Sequence, residues 1–379
     1  MDTYDIPFNR PGLVGHEHEY MADVVARAHL SGDGHYTRLC HAHLETALGV
    51  HKALLTTSCT HALEMAAILL AIEPGDEVIV PAFTFVSTVN AFVLRGARPV
   101  FCDIRPDTLN MDDARLASLV TPRTKAIVPV HYAGVGCEMD VILAIARRHG
   151  IPVVEDNAHG LLGKYRGQWL GTFGQLATQS FHETKNLQCG EGGALLINDP
   201  SYVDRAEIIR EKGTNRRRFF GGLVDRYTWV DIGSSYLPSD LLAAYLYAQL
   251  EERDHIQASR QRVWNTYRRE LKDWAGDRRV GLPVVPAHCD QPAHMFYLVM
   301  PSPASRSALI AHLKVLGILA VFHYQPLHLS DMGQRLGGRK GDCPVTEDIS
   351  ERLVRLPFYT HLAETDQERV IDAIKGCQL

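Results

Sequence analysis

The distribution of apolar and polar positions divides the chain into two parts. From about residue 50 to residue 200, short apolar runs rich in β-branched residues alternate with helical segments. Apolar runs without polar alternation are typical of strands buried on both faces, and strands separated by helices are typical of an open, mostly parallel α/β sheet. The pattern predicts strands within 52–60, 76–85, 98–104, 126–134 and 152–157.

The pattern changes from about Ser239 onwards. Residues 239–274 form a long amphipathic stretch that predicts a helix, and the rest predicts a smaller α+β domain. Its strands and helices are expected near 294–300, 320–326, 307–317 and 366–374. We therefore predict a large domain at 1–250 and a small C-terminal domain at 251–379.

Composition agrees with a two-domain globular protein and argues against nucleic-acid binding, a signal peptide and a membrane span. The chain has 379 residues, of which 46% are hydrophobic and 22% charged, and its formal net charge is -5. No overall basic field is available to hold a nucleic acid. The N-terminus, MDTYDIPFNRPG, is acidic and broken by prolines, so it does not resemble a signal peptide. The longest apolar run, 66–72, is too short to span a membrane.

Cysteine and histidine usage predicts neither disulfides nor a metal site. The eight cysteines are scattered and form no CxxC pair, which is typical of a protein in a reducing cytoplasm. Nineteen histidines occur, but no HExxH motif does. His41 and His43 are two residues apart on a predicted helix, so they cannot present ligands on the same face.

The candidate chemistry lies where the predicted strands end. In open α/β sheets, ligands bind beyond the carboxyl ends of the strands. Because those ends share one edge of the sheet, we expect the residues there to surround a single cleft. They are 58–60, 84–85, 131–132, 156–159 and 180–185.

Together these residues offer what pyridoxal 5'-phosphate requires. Asp156 offers an anion for a protonated ring nitrogen, and Phe85 offers a flat stacking surface. Lys185, the only lysine at these strand ends, offers an amine for the aldehyde. A phosphate would find hydroxyls and a helix start at Ser58, Thr60 and Ser180.

Each of these residues also has a common structural explanation. An isolated lysine such as Lys185 is usually a loop residue, Asp156 could form a turn, and Phe85 could belong to the core. The stretch SCT is a frequent helix cap, and GEGG is a frequent hairpin turn. The joint occurrence of these residues at successive strand ends favours the cofactor site.

The stretch SFHETKN followed by GEGG, within 180–193, resembles the signature of the DegT/DnrJ/EryC1/StrS family of sugar aminotransferases. The resemblance extends from IPFNRPG to the C-terminus and implies the aspartate-aminotransferase type I fold. Further similar stretches are SGDGHYTR, SCTHALEMAA, IVPVHYAG, REKGTNRRRFF, DIGSSYL and AVFHYQPLH. Within the family, the chain is most similar to the transaminases that make dTDP-4-amino-4,6-dideoxygalactose.

The resemblance implies roles for individual residues. Lys185 would bind the cofactor covalently, Asp156 would contact the ring nitrogen, and Phe85 would stack on the ring. The phosphate positions are Cys59 and His61, through backbone groups, together with Thr60 and Ser180.

The sequence departs from the family pattern at two of these positions. His159 stands where many relatives have a glutamine that contacts the ring hydroxyl, and an imidazole can still donate one hydrogen bond there. Ser235 stands where many relatives have an asparagine that reaches the phosphate from the partner subunit, and serine is shorter. Relatives that dehydrate their substrates have histidine in place of Lys185, so that branch is disfavoured.

The implied activity is amino transfer from L-glutamate to C4 of a nucleotide-linked 4-keto-6-deoxyhexose. The resemblance favours dTDP-4-keto-6-deoxyglucose, a homodimer and active sites at the subunit interface, and it leaves the galacto or gluco configuration of the product open. The alternatives are a transaminase acting at another carbon, such as C3, and a catalytically silent regulatory protein.

Two segments are candidates for binding the sugar nucleotide. Arg216, Arg217 and Arg218, in an expected loop, form either a pyrophosphate clamp or a solvated charged surface. The segment HYQPLH resembles the family's sugar site, and its alternative is a strand end with packed aromatic rings. Its candidate residues are His323, Tyr324 and His328.

Overall fold

The computed structural model describes residues 4–378. The strands are β1 (Lys52–Thr56), β2 (Glu77–Pro81), β3 (Arg98–Cys102), β4 (Thr124–Ile127), β5 (Val154–Asp156), β6 (Lys164–Tyr165), β7 (Gln168–Trp169), β8 (Leu176–Ser180), β9 (Gly193–Ile197), β10 (Cys289–Asp290), β11 (Tyr297–Val299) and β12 (Leu353–Arg355). The α-helices are α1 (Glu17–Ala26), α2 (His35–Leu48), α3 (Cys59–Leu69), α4 (Val86–Val93), α5 (Asp113–Leu119), α6 (Met139–His149), α7 (Val203–Arg210), α8 (Arg216–Phe220), α9 (Asp240–Glu251), α10 (Arg253–Arg278), α11 (Pro303–Val315), α12 (Asp331–Arg335), α13 (Pro344–Arg352) and α14 (Glu364–Gly376).

The central sheet has the strand order β3-β2-β4-β5-β8-β9-β1. Two ladders, β3-β2-β4 and β1-β9-β8-β5, are joined by the parallel bridges Ile127–Val153 and Val130–Asp156. All neighbours are parallel except those of β9, which is antiparallel to both β8 and β1. The prediction of a mostly parallel α/β sheet is therefore confirmed, and β9 is its one reversed strand.

Helices cover both faces of this sheet. Leu54 and Leu195 face a core that includes α3, α4 and α7, while Leu55 and Leu196 face the opposite core with α2 and α9. Successive residues of a strand point to opposite faces, so apolar residues are needed at every position. This explains the unbroken apolar runs that identify the strands in the sequence.

The long stretch predicted as one helix is two helices. α9 ends at Glu251 and α10 starts at Arg253, with Glu252 between them. Along α10 the residues Val263, Tyr267, Leu271 and Trp274 are buried, at the spacing of three or four positions that places them on one face. That face packs against the core of the C-terminal part of the chain.

The C-terminal core contains α10, α11, α14 and the antiparallel pair β11–β12. Ile6 lies in the same core and forms a parallel bridge with Ile318, so the N-terminal segment packs with the C-terminal part. The segment 320–326, predicted as a strand, contributes only the bridge between Val321 and Arg355. Tyr324 has φ of 26°, which no regular strand contains.

Residues 4–378 contain neither a membrane-spanning helix nor a metal-binding cluster. No helix there combines the length and apolar character needed to cross a membrane. The same residues contain no group of three histidine, cysteine or acidic side chains placed to hold a metal ion. All eight cysteines are free thiols.

Candidate active site

A cavity of about 730 Å³ lies at the carboxyl ends of β5 and β8. Its wall includes residues from the sheet, from the starts of α3 and α4, and from the C-terminal part of the chain. The structure brings together nine of the predicted site residues in this wall: Cys59, Thr60, Phe85, Asp156, His159, Ser180, Lys185, His323 and Tyr324.

The start of α3 forms one side of the cavity. Ser58 caps the helix, because its hydroxyl accepts a hydrogen bond of 3.1 Å from the N–H of His61. The N–H groups of Cys59 and Thr60 precede any intrahelical acceptor, and the Thr60 hydroxyl donates to Ser87 Oγ at 2.8 Å. Gly193 lets β9 approach this turn, since a Cβ there would lie 2.4 Å from the Cys59 nitrogen. These groups form a site suited to an anion such as a phosphate.

Asp156 ends β5 and is 4% exposed. Its carboxylate accepts hydrogen bonds from Thr88 Oγ1 at 2.7 Å and from the Ala158 N–H at 3.1 Å. Burial raises the pKa of Asp156, while these hydrogen bonds and the charge of Lys185 act in the opposite direction. A carboxylate held rigidly in a buried wall is suited to binding a protonated ring nitrogen.

Lys185 follows β8 in a loop and reaches the same cavity. The loop is fixed by its backbone, because the Lys185 N–H donates to the His182 carbonyl at 2.8 Å. Burial lowers the pKa of Lys185 to about 8, and the nearby charge of Arg355 acts in the same direction. A substantial fraction of the amine is therefore neutral near physiological pH, which makes it a nucleophile.

His159 lies in the wall of the cavity beside His294 and Tyr324. Its ring stacks on His294 with centroids 4.4 Å apart, and its Nε2 is 3.4 Å from the hydroxyl of Tyr324. Burial holds the pKa of His159 and of His294 well below the usual range, so both rings are neutral at pH 7. His159 Nδ1 is buried without a hydrogen-bond partner among the described residues, so it is available to a ligand hydroxyl.

Aromatic rings form much of the remaining wall. Phe85 stands at the start of α4 with 58% of its surface exposed, and its ring centroid is 6.4 Å from that of Tyr324. His323 is buried and its Nδ1 is 2.8 Å from the Tyr132 hydroxyl. Burial lowers the pKa of His323, so this part of the wall is uncharged at neutral pH.

Two predicted residues lie outside the cavity wall. His61 donates its N–H to Ser58, and its ring packs on Tyr236 at 5.2 Å. His328 is fully buried and its Nε2 is 3.0 Å from Glu347 Oε1, which directs the ring away from the cavity. The structure does not bring either side chain to the other candidate residues.

The three arginines and Ser235 also lie away from this cavity. Arg216 to Arg218 belong to the short helix α8 where a loop was expected. Arg216 is 3.5 Å from Glu211, and Arg217 is in contact with Glu207. Ser235 is exposed and forms a bridge with Glu211 beside them. All four residues belong to a surface separate from the cavity of their own chain.

The cavity also contains residues that the sequence analysis missed. Thr88 holds Asp156 and lies one helical turn after Phe85, a spacing that could have identified it. His294 and Arg355 come from distant parts of the chain, where no local pattern marks them. His182 and Glu191 flank the loop of Lys185, with His182 Nε2 and Glu191 Oε1 3.7 Å apart.

The residues present fit pyridoxal phosphate. A helix start with hydroxyls, a buried carboxylate and a partly neutral amine surround one cavity. The partnerless Nδ1 of His159 is the buried polar atom that a ring substituent would satisfy. No charged group other than the amine, the carboxylate, Glu191 and Arg355 lines the cavity among residues 4–378, apart from the histidines.

Known proteins resemble the chain over almost its whole length. The model of the DegT/DnrJ/EryC1/StrS aminotransferase family matches residues 13–375. GDP-perosamine synthase of Caulobacter vibrioides is 33% identical over 370 residues, which cover 96% of each chain. The structure of the aminotransferase TlmJ from Streptoalloteichus hindustanus is 30% identical, with a TM-score of 0.90 and 98% of both chains covered. Spr1654 of Streptococcus pneumoniae, solved in its pyridoxal phosphate and pyridoxamine phosphate forms, is 26% identical with a TM-score of 0.90 and 98% of both chains covered.

Proposed function

The chain belongs to the DegT/DnrJ/EryC1/StrS aminotransferase family, whose members depend on pyridoxal phosphate, and from this premise we propose its substrates. We propose that it transfers the amino group of L-glutamate to C4 of dTDP-4-keto-6-deoxyglucose, giving a 4-amino-4,6-dideoxy sugar. The observation that carries the proposal is the pairing of Lys185 and Asp156 in one cavity that also contains the neutral ring of His323.

Four residues of the chain perform the proton chemistry and the positioning. Bound pyridoxal phosphate supplies an aldehyde that takes up the amino group and a ring that withdraws electrons. The neutral amine of Lys185 can accept a proton from the substrate carbon and return it. Asp156 would hold the proton on the ring nitrogen, and Phe85 would stack on one face of the ring. Thr88 keeps the Asp156 carboxylate in place through its 2.7 Å hydrogen bond.

The phosphate is assigned to the start of α3. The N–H groups of Cys59 and Thr60 and the hydroxyls of Thr60 and Ser180 are the proposed donors. Since the N–H of His61 is already donated to Ser58, His61 supports this site by fixing the helix cap. The chain thereby holds the phosphate with neutral donors, and the helix start contributes a favourable electrostatic field.

The sugar ring is assigned to the wall formed by His323 and Tyr324. Burial keeps His323 neutral, and its hydrogen bond with Tyr132 fixes the ring. Neutral hydrogen-bonding groups suit a sugar, which has hydroxyls and no charge on its ring. His328 anchors the end of the segment 323–328 through its contact with Glu347, and it is not assigned a substrate contact.

We propose that the enzyme is a homodimer. A cluster of apolar side chains is exposed in one segment, and Trp229 in it is 75% exposed. An exposed apolar cluster of this kind is typical of a surface that binds another protein. Its members are Phe219, Phe220, Leu223, Tyr227, Trp229, Val230 and Ile232.

The dimer would give Ser235 and the arginines of α8 a role in the partner's active site. Arg216 and Arg217 face Glu211 and Glu207, whereas Arg218 has no carboxylate partner among the described residues. Arg218 is therefore the proposed pyrophosphate ligand of the three, because its guanidinium is free to bind phosphate oxygens.

Two details of the reaction have alternatives, one raised by a relative and one by the sequence analysis. GDP-perosamine synthase, at 33% identity, points to a GDP-linked sugar as the alternative to a dTDP-linked one. Amination at C3 is the alternative to amination at C4.

We also propose that the enzyme works in the cytoplasm, because its eight free cysteines are typical of a reducing compartment.

A half-reaction experiment tests the proposal. The enzyme is converted with L-glutamate, freed from excess amino acid, and mixed with dTDP- or GDP-linked 4-keto-6-deoxyhexoses. We expect the original absorption spectrum to return as amino sugar forms in equal amount, with NMR placing the amine at C4. If only α-keto acids restore the spectrum, the enzyme is an amino-acid transaminase and the proposal is wrong.

A further inference from the structure

His294 lies in the wall of the cavity and is held by an amide behind it. Its Nδ1 is 2.9 Å from Asn186 Oδ1, and the Asn186 Nδ2 donates to the Pro292 carbonyl at 2.6 Å. A carbonyl oxygen can only accept a hydrogen bond, so the amide nitrogen of Asn186 must face Pro292 and the amide oxygen must face His294. The orientation of this amide is therefore fixed.

The fixed amide determines which nitrogen of the His294 ring carries the proton. Because Asn186 Oδ1 can only accept, His294 Nδ1 must donate. Burial holds the pKa of His294 well below its usual range, so the ring is neutral and has a single proton. The other nitrogen, Nε2, therefore has a free lone pair, and it makes no hydrogen bond within residues 4–378. The cavity wall offers an acceptor that cannot donate.

Backbone contacts and ring stacking keep His294 in this position. The buried guanidinium of Arg260 donates to the carbonyls of Ala293 and His294 at 3.0 and 2.6 Å. The imidazole stacks on His159 with ring centroids 4.4 Å apart. An acceptor that is held by its backbone, by a side-chain hydrogen bond and by a stacked ring is preorganised for a ligand.

The group that this acceptor binds must be a hydrogen-bond donor close to the reacting carbon. The amine of Lys185 is near enough for its charge to lower the pKa of His294, so the ring lies beside the place where the substrate reacts. The carboxylates of L-glutamate are acceptors, which excludes them. In a 4-keto-6-deoxyhexose that reacts at C4, C3 has a hydroxyl, whereas C5 has the ring oxygen and a methyl group. Of the groups next to C4, only the 3-hydroxyl can donate.

We propose that His294 accepts a hydrogen bond from the 3-hydroxyl of the sugar and thereby selects 4-ketosugars that keep this hydroxyl. Asn186 is the positioning residue, because it keeps the proton of the ring on Nδ1. A substrate without the hydroxyl would displace water from the buried acceptor and leave it without a partner. The inference rests on the proposed function, because it names the class of ketosugar that the same site accepts.

A comparison of two substrates tests the assignment without any variant. dTDP-4-keto-6-deoxyglucose has the 3-hydroxyl, and dTDP-4-keto-3,6-dideoxyglucose lacks it. For the wild-type enzyme, kcat/KM should be roughly 5- to 150-fold higher for the first substrate, as expected when a buried acceptor loses its partner. Equal values of kcat/KM would overturn the role of the hydroxyl.

Substitution of His294 tests whether this residue is the source of the preference. His294→Phe removes the acceptor but keeps an aromatic ring to stack on His159, so the preference for the 3-hydroxyl should fall below about threefold. A merely structural role would lower the rate with both substrates and leave the preference unchanged, and that result would overturn the proposal. His288→Phe is the matched control and should keep the wild-type preference, because His288 packs on Tyr165 and contacts Glu138 outside the cavity.

Substitution of Asn186 tests the positioning role. In Asn186→Leu the amide oxygen is absent, so the proton of His294 can occupy either ring nitrogen. The preference for the 3-hydroxyl should therefore lie between the preferences of wild type and His294→Phe. A preference equal to that of wild type would overturn the role assigned to Asn186.

A binding measurement separates this inference from catalysis. The holoenzyme is titrated calorimetrically with dTDP-6-deoxyglucose, which has no ketone to react, and with dTDP-3,6-dideoxyglucose. Wild type and His288→Phe should bind the first ligand more tightly, and His294→Phe should bind the two with similar affinity. Equal affinities in the wild type would overturn the proposal. Failure of the wild-type enzyme to aminate dTDP-4-keto-6-deoxyglucose would contradict the proposed function instead, so the two failures are distinguishable.

Discussion

The two walls of the active-site cavity are built in different ways. The wall with Lys185 and Asp156 comes from consecutive strand ends and helix starts between residues 58 and 193. The opposite wall comes from Phe8, His294 and residues 322–355, which reach the cavity through long-range packing. The first wall is rigid because the sheet fixes it, whereas the second depends on the packing of the C-terminal core. The difference suggests that cofactor chemistry belongs to the first wall and substrate choice to the second.

Removal of Lys185 is the strongest test of the first wall. Lys185→Ala should abolish steady-state transamination, because no other amine lines the cavity among the described residues. The fold should persist, since the side chain projects from a loop that is held by its backbone. Turnover is measured with L-glutamate and the ketosugar, and folding by circular dichroism. Normal turnover in this variant would remove Lys185 from the mechanism.

Removal of the Asp156 charge should have the next largest effect. Loss of one partner of a buried ion pair costs about 3–5 kcal/mol, so Asp156→Ala should lose most of its cofactor affinity and its rate. Asp156→Asn keeps the shape and isolates the charge. Thr88→Val is a graded control, because it removes only one of the hydrogen bonds to the carboxylate. Wild-type cofactor binding by Asp156→Ala would require another acid at the ring nitrogen.

The low pKa of Lys185 predicts a pH-dependent stability in the cofactor-free protein. The unfolded chain keeps the proton up to its ordinary pKa of about 10.5, whereas the folded amine loses it near 8. The unfolded state therefore binds more protons between pH 8 and pH 10.5, and the free energy of unfolding should rise with pH across this window. The total rise relative to Lys185→Met is at most about 3 kcal/mol.

Denaturant unfolding of both proteins across this pH range measures the difference. Lys125→Met, which removes an exposed lysine, is the matched control and should run parallel to wild type. A constant difference between wild type and Lys185→Met from pH 7 to pH 10.5 would contradict a lowered pKa. The second wall contributes here too, because Arg355→Gln should shift the midpoint of the rise upwards by removing a positive charge.

The sequence analysis predicts the first wall far better than the second, for physical reasons. Asp156 and Lys185 each follow a buried strand, and a parallel sheet brings its strand ends together whatever the loops do. Arg355 and His294 reach the cavity only through the packing of β11, β12 and the segment 320–326. That segment was predicted as a strand, but the positive φ of Tyr324 interrupts it, and His328 beyond the interruption contacts Glu347.

The boundary between α9 and α10 and the surface that contains α8 were also poorly predicted from the sequence. The amphipathic pattern runs through Glu252 without a break, so one helix was predicted where the chain bends between α9 and α10. The run of arginines was predicted as a loop, but it lies in the helix α8. In this helix, Arg216 and Arg217 form ion pairs with Glu211 and Glu207. Ion pairs between segments are decided by tertiary packing, which no local pattern contains.

The smallest expected effect concerns His159, which lies where the two walls meet. Burial keeps its ring neutral, and its Nδ1 lacks a partner in the described residues, so it can make one hydrogen bond to the ring hydroxyl of the cofactor. Glutamine, which many members of the family have at this position, can form the same hydrogen bond. His159→Gln should therefore change the rate by less than about threefold, whereas His159→Ala should lose about 1 kcal/mol of binding, or roughly fivefold in cofactor affinity. Equilibrium binding of the cofactor, followed by its absorption, compares the three proteins. If His159→Gln is as impaired as His159→Ala, the stacking of His159 on His294 matters more than its hydrogen bond, and the second wall then takes part in holding the cofactor.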